Sequence, residues 1–358
     1  MPDRSVQYYD ERLAIARQLG DKKSESIALG DLGRAHSRMG MGERAIVLYE
    51  QRVLIAREIG DVKSESIALR DLGIAYSRLG MMDKAVSYYE ERRAIAREVG
   101  DRKGENNALG DLGRAYLRLG MVDRAINYYE ERLNITREIG DVRGESLALG
   151  DLGTAYIRSD MSDRAVTYFE QRLILSRNIG DRKGESNALR DLGRAYLRLG
   201  MTERAIGAYE QRLSVAREIN DPRREGAALG ALAHSYVSVG NLTRAGQLYE
   251  ELLRVTRETN DRRAQGTVLG NLGRIHSSLG ESQRAIDFFN QQIAFSREIG
   301  DRRSEGAGLF ILSLEFEKLG NRDQAIKFAK ESLKIFDETE GPNAVRVREK
   351  LEQWGEET

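Results

Sequence analysis

A forty-residue period governs this chain. The string DRKGENNALGDLGRAYLRLGMVDRAINYYEERLNITREIG, residues 101–140, recurs in unbroken register from Asp21 to about Glu340. Asp stands at 21, 61, 101, 141, 181, 221, 261 and 301, and Ala at 45, 85, 125, 165, 205, 245, 285 and 325. Leu stands at 29, 69, 109, 149, 189, 229, 269 and 309, and again three residues after each. A strict period of this size marks a solenoid, in which each unit buries its apolar face on its neighbours instead of in one central core. Length alone would have suggested two or three globular domains.

Each unit reads as two antiparallel helices. In unit one the first is predicted over about Lys22–Met39, behind Asp21, whose carboxylate can accept from the free N–H groups of the opening turn. Ala28, Leu29, Leu32, Gly33, Ala35, His36 (Tyr in most units) and Met39 form its apolar face. Gly40 ends it, since a left-handed C-terminal residue costs least as glycine. The second helix is predicted over about Gly42–Ile59, with Ala45, Tyr49, Val53, Ala56 and Ile59 turned inward. Joints this short force antiparallel packing. Residues 1–20 match the second half of a unit and are expected to form an orphan helix. Eight units fill 21–340, and 341–358 restart a helix behind Gly341-Pro342 with Val347, Leu351 and Trp354 at helical spacing, expected as a terminal cap.

Leu32-Gly33, the Tyr slot at 36, Gly40, Ala45 and Tyr49 resemble the tetratricopeptide repeat pattern of Leu-Gly, Tyr, Gly, Ala and an aromatic. That family's unit is usually shorter and closes on a Pro; here Arg57 stands near its place and the second helix runs longer. Strings such as EQRVLIAREIGD are similar to the extended repeats of Pins/LGN polarity adaptors and kinesin light chains, and to the C-terminal arrays of bacterial signal-transduction ATPases. The resemblance implies an all-α, right-handed superhelix of helix pairs that binds other proteins without catalysis. It departs from Pins/LGN where Leu-Gly-Asn becomes Leu-Gly-Arg in units one, three, five and seven.

Composition narrows the function. With 57 basic and 57 acidic side chains the chain has no bulk attraction for nucleic acid or anionic membranes. No cysteine means no disulfide, thiol chemistry or Cys-ligated metal. Arg or Glu interrupts every apolar run, so no signal peptide or membrane span is expected, and the cytoplasm is the expected location. No phosphate-binding glycine loop, His-Glu metal motif or nucleophile elbow occurs, so neither enzyme, metal nor cofactor is expected. His234 stands alone, and three His without Cys make no zinc site.

At 100° per residue, positions 27, 30, 31, 34 and 38 lie opposite the apolar face, the side that lines the concave groove in the resembled family. Arg38, Arg78, Arg118, Arg158 and Arg198 form one column; Arg34, Arg114, Arg194 and, in unit seven, Arg274 a second; Arg70 and Arg190 a third. Asn107 and Asn187 stand at the upper end. Against these ten Arg of units one to five stand five Asp: 31, 71, 111, 151 and 191. Like charges at i,i+4 repel within a helix, so their repetition suggests an anionic ligand held by guanidinium forks. Gly30, Gly110 and Gly150 would let a ligand backbone approach. The structural alternative is an Asp–Arg ladder copied by duplication, with no ligand at all.

Other columns read as structural. Glu25, Glu65, Glu105, Glu145, Glu185, Glu225 and Glu305 are expected to pair with Arg52, Arg92, Arg132, Arg172 and Arg212 between helices. Met41, Met81, Met121, Met161 and Met201 are expected to close apolar contacts between units. Phe310 and Leu314 are expected to pack on the terminal cap or to anchor a partner. The leading expectation is a scaffold for an extended acidic or carboxylate-bearing protein segment. Behind it stand a sensor or autoinhibitory array of a larger ATPase or protease regulator, and nucleic-acid backbone binding, for which the groove lacks stacking aromatics. Tyr8 and Leu13 on the orphan helix are expected to be exposed and to favour self-association.

Overall fold

The computed structural model describes residues 2–339 and 341–356; the boundary set at Glu340, and Met1, Glu357 and Thr358 of the terminal segments, lie outside them. The chain divides into two compact units, Met1–Gly180 and Asp181–Thr358. The first contains α1 (Pro2–Gln18), α2 (Lys22–Arg38), α3 (Gly42–Glu58), α4 (Val62–Arg78), α5 (Met82–Glu98), α6 (Arg102–Arg118), α7 (Val122–Glu138), α8 (Val142–Arg158) and α9 (Ser162–Asn178). The second contains α10 (Arg182–Arg198), α11 (Thr202–Glu218), α12 (Pro222–Ser238), α13 (Leu242–Glu258), α14 (Arg262–Ser278), α15 (Ser282–Glu298), α16 (Arg302–Lys318), α17 (Arg322–Glu338) and α18 (Ala344–Gln353). Among the described residues every element is helical, and within each unit each helix packs on the next.

The twenty-residue rhythm follows from the caps. Each even-numbered helix from α2 to α16 starts behind an Asp whose side chain accepts from the N–H three residues on, as Asp21 does from Ser24 at 3.0 Å. Each helix from α1 to α16 ends in a left-handed residue, where Asp160 (φ 60°), Asn220 (50°) and Asn260 (52°) replace glycine. Met41, Met81, Met121, Met161 and Met201 stand at the start of the second helices without a side-chain cap and are 38–49% exposed, so each is covered over only part of its surface. Ile59, expected inward, is also partly exposed, because it sits at the C-cap beyond the last packed turn.

The core of a pair is an aromatic ring laid on bare backbone. A Cβ on Gly33 would come within 2.4 Å of the Tyr49 ring, and one on Gly113 within 2.3 Å of Tyr129. Gly153 with Phe169 and Gly273 with Phe289 repeat the contact. The Leu-Gly dipeptide thus has a packing cause: only glycine lets the ring reach the helix axis. Tyr76 stacks on Tyr88 and Tyr116 on Tyr128, with His276 on Phe288 in the same slots. At the C-terminal end Phe310, Val347, Leu351 and Trp354 form one apolar cluster, so Phe310 packs on the cap. On α1, Tyr8, Ile15 and Leu19 are exposed, whereas Leu13 is buried against α2, contrary to expectation, because it lies on the face that meets Ala28 and Leu32.

Candidate ligand-binding face

Neighbouring first helices approach one another more closely than neighbouring second helices: α2 with α4, α4 with α6, α6 with α8, and, in the second unit, α14 with α16. Their exposed faces carry the predicted columns, and two distinct roles emerge there.

The Asp column is engaged inward. Arg12 Nη1 lies 3.0 Å from Asp31, Arg52 Nη1 3.8 Å from Asp71, Arg92 Nη1 2.8 Å from Asp111 and Arg132 Nη1 2.5 Å from Asp151. Arg52, Arg92 and Arg132 are all at most 6% exposed. These are inter-unit ties from a second helix to the Asp nineteen residues on. They correct the expected pairing of Arg52-type residues with the Glu25 column. Glu25 instead accepts from Arg17 at 2.8 Å, Glu65 from Arg57 at 2.6 Å and Glu145 from Arg137 at 2.8 Å. The tight turn brings position 17 of one helix directly over position 25 of the next.

Gly30, Gly110 and Gly150 are likewise accounted for within the chain. A Cβ on Gly30 would meet the Arg52 guanidinium at 2.5 Å, and one on Gly150 would meet Arg172 at 2.7 Å. The glycines make room for buried arginines, not for a ligand backbone. A sequence signal for these pairs exists: Leu252 replaces the buried Arg where Asn271 replaces the Asp, and Gln292 where Ile311 does.

Among the described residues, Arg34, Arg70, Arg114 and Arg190 bond carboxylates of the chain itself. Arg34 donates to Asp31 at 2.6 Å and Asp71 at 3.4 Å, Arg114 to Asp111 at 2.5 Å, Arg70 to Asp71 at 3.2 Å and Arg190 to Asp191 at 2.9 Å. The outer column differs. Arg78 donates to Ser37 Oγ at 2.8 Å, Arg118 to Ser77 Oγ at 2.6 Å and Arg158 to the Leu117 carbonyl at 3.1 Å. All three are exposed, as is Arg38, and among the described residues none of the four pairs with a carboxylate. Arg194 and Arg198 are exposed in the second unit. Asn107 is exposed, and Asn187 accepts from Arg224 at 3.0 Å.

A cavity of about 300 Å³ opens on this face between Ile74, Arg78, Tyr89, Asp111, Arg114 and Arg118. Burial, then the Asp111 charge, pushes the Tyr89 hydroxyl up to about 12, while Arg114, Arg118 and Arg92 pull it down. Tyr89 is therefore a neutral donor in a cationic pocket. A larger cavity of about 630 Å³ lies between α7, α8 and α9, but its polar lining is already used: Tyr156 donates to Glu130 at 3.3 Å and Arg137 to Glu145 at 2.8 Å. Among the described residues no cluster of three His, Asp or Glu could hold a metal ion, and no helix is long and apolar enough to cross a membrane.

Stacked antiparallel helix pairs at a fixed period, with a polar face of first helices, define an α-helical repeat scaffold. The chain belongs to the tetratricopeptide repeat family, whose models match residues 28–63, 64–138, 104–173, 144–218 and 224–298. No curated protein matches it in sequence. Among solved structures it is similar to a signal transduction ATPase with numerous domains carrying a tetratricopeptide repeat sensor, from Pyrococcus horikoshii. That match has a TM-score of 0.63 at 18% identity, over 94% of this chain and 53% of that one, so the chain spans about half that protein's length. BtubC from P. vanneervenii matches with a TM-score of 0.55 at 22% identity, over 62% of this chain and 93% of that one. Aspartyl phosphate phosphatase F from Bacillus subtilis matches at 0.56 and 10% identity, over 92% and 94%. At these identities the likeness concerns the fold.

Proposed function

We propose that the chain is a non-catalytic protein-interaction scaffold that holds an extended acidic segment along Arg38, Arg78, Arg118 and Arg158. One observation carries this reading: Arg38, Arg78, Arg118 and Arg158 are exposed and, among the described residues, pair with no carboxylate, the last three donating to neutral acceptors, whereas Arg34, Arg70 and Arg114 are already on the chain's own carboxylates. The site is therefore narrower than the full set of arginines. Exposed ion pairs contribute about 0.2–1 kcal/mol each. Four of them reach at most about 4 kcal/mol, near-millimolar binding. Tighter binding requires an anchor, and the cavity beside Ile74 and Tyr89 supplies a place for one.

The test is fluorescence anisotropy with a labelled glutamate-rich peptide at two salt concentrations, on the wild type and on Arg78→Glu/Arg118→Glu/Arg158→Glu. The triple variant is expected to lose at least most of the binding, and unchanged affinity would sink the proposal. A single-stranded oligonucleotide that outcompetes the peptide would favour nucleic-acid backbone binding instead. A sensor array within a larger signalling ATPase is the second reading, suggested by the likeness to the Pyrococcus horikoshii sensor. Nucleotide-binding residues encoded upstream would favour it. Self-association through the exposed face of α1 is a separate proposal, read by light scattering at high concentration.

A further inference from the structure

The tie between a buried arginine and the Asp nineteen residues on is made at Arg12, Arg52, Arg92 and Arg132. Arg212 occupies the same place on α11, but nineteen residues on stands Ala231. Burial is unchanged: Arg212 is 6% exposed, as Arg92 is. Among the described residues Arg212 pairs with no carboxylate, which sets it apart from Arg52, whose Nε also lacks a hydrogen-bond partner but which has Asp71 at 3.8 Å. In the following units both members are replaced together, Leu252 with Asn271 and Gln292 with Ile311. Arg212 is thus a buried cation without the anion that its counterparts have, which is strongly unfavourable unless something else supplies the charge.

Its surroundings add to the deficit. Burial, and then Arg190, draw the Arg212 pKa down, with Arg224 acting the same way and Tyr209 and Asp191 opposing. Arg52 and Arg92 show the same direction with partners in place, so the difference at Arg212 lies in geometry. Ala231 is partly open to solvent, and a Cβ on the adjacent Gly230 would touch only Leu252, at 3.5 Å. His234 is exposed three residues on, the register from which Arg34 and Arg114 reach their Asp.

We propose that Arg212 binds a carboxylate supplied from outside the chain, in the position that Asp occupies in units one to five. The proposal is independent of the exposed arginine row, because a small carboxylate tests it with no long peptide present. A guanidinium fork takes a carboxylate by two parallel N–H donors, and a buried setting strengthens each bond.

The experiment follows the side-chain Nε–Hε resonance of Arg212 in the ¹⁵N-labelled full chain. It is assigned by its loss in Arg212→Leu, which copies the residue at 252. Sodium acetate is titrated against sodium chloride at constant ionic strength. Acetate is expected to shift the resonance saturably, and chloride is not. In Ala231→Asp the built-in carboxylate is expected to shift the resonance beforehand and to weaken acetate binding by about tenfold or more. A response that never saturates, or equal acetate affinity in Ala231→Asp, overturns the proposal. A blocked glycine–aspartate–glycine peptide identifies the source: tighter binding than acetate assigns the site to a polypeptide carboxylate, equal binding to a free one. An asparagine counterpart that shifts Arg212 as strongly also overturns it.

Discussion

Replacing Gly113 by alanine adds one methyl and tests why the Leu-Gly dipeptide recurs. The new Cβ would stand 2.3 Å from Tyr129 Cε1 and 2.6 Å from Cζ, on a ring that is 1% exposed and cannot swing away. Overpacking of this kind costs about 1–3 kcal/mol, and a rigid buried ring places it at the upper end. Alanine returns about 1 kcal/mol of helix propensity over glycine, which leaves a net loss of roughly 2 kcal/mol. Gly207→Ala on α11 is the control: no atom lies within 4 Å of its would-be Cβ, so only the propensity term acts and the sign reverses. Repeat arrays unfold in stages, so a single global midpoint is not the right quantity. Repeat-resolved hydrogen exchange is: protection of α6 and α7 should fall in Gly113→Ala, and protection of α11 should rise in Gly207→Ala. Gly113→Ala/Tyr129→Leu should cost less than the sum of the singles, since the smaller side chain relieves the clash. If Gly113→Ala proves neutral or stabilising, the packing account of the dipeptide is wrong.

Two further outcomes follow from the ion pairs and caps. Asp111→Ala strands Arg92, which is 6% exposed and 2.8 Å from that carboxylate, and should cost about 3–5 kcal/mol. Arg92→Leu/Asp111→Ala should recover most of it, as read by urea titration with exchange in α5 and α6. The cap carboxylates of Asp61 and Asp301 are held below the ordinary range by the backbone N–H and then the hydroxyl of Ser64 and Ser304. A depressed folded pKa contributes stability above the unfolded value, about 4, that is lost as pH falls through the folded one. Helicity by circular dichroism should therefore drop below about pH 4, and less so in Asp61→Asn/Asp301→Asn, where the acceptor remains but no longer titrates.

Helix positions were legible because period, Asp caps and left-handed Gly all point to the same boundaries; α2 ends at Arg38 and α3 at Glu58, each within a residue of expectation. Charge partners were not. Helical angle tells which way Arg52 points but not how far it reaches, and a period of forty offers each Arg several equally spaced carboxylates. The tight turn decided for Arg17 over Glu25, and burial decided for Arg52 over Asp71. The role of Gly30 is hidden for the same reason: an absent side chain shows that something comes close, and only the packing of α3 on α2 shows that it is Arg52. Leu13 lay on a helix whose neighbour the sequence placed on one side, and its burial depended on rotation about the helix axis.

The ties at Arg12, Arg52, Arg92 and Arg132 make every junction among the early units interchangeable. A gene encoding them can gain or lose one module in frame, and each seam would still find its complement on the other side. Past Arg212 the seams are individual: a module inserted after Leu252 would bring an aspartate to Leu252 and an arginine to Asn271. Copy number is therefore free to drift in the early part of the protein and constrained in the later part, so natural variants should differ mainly in how many early modules they carry.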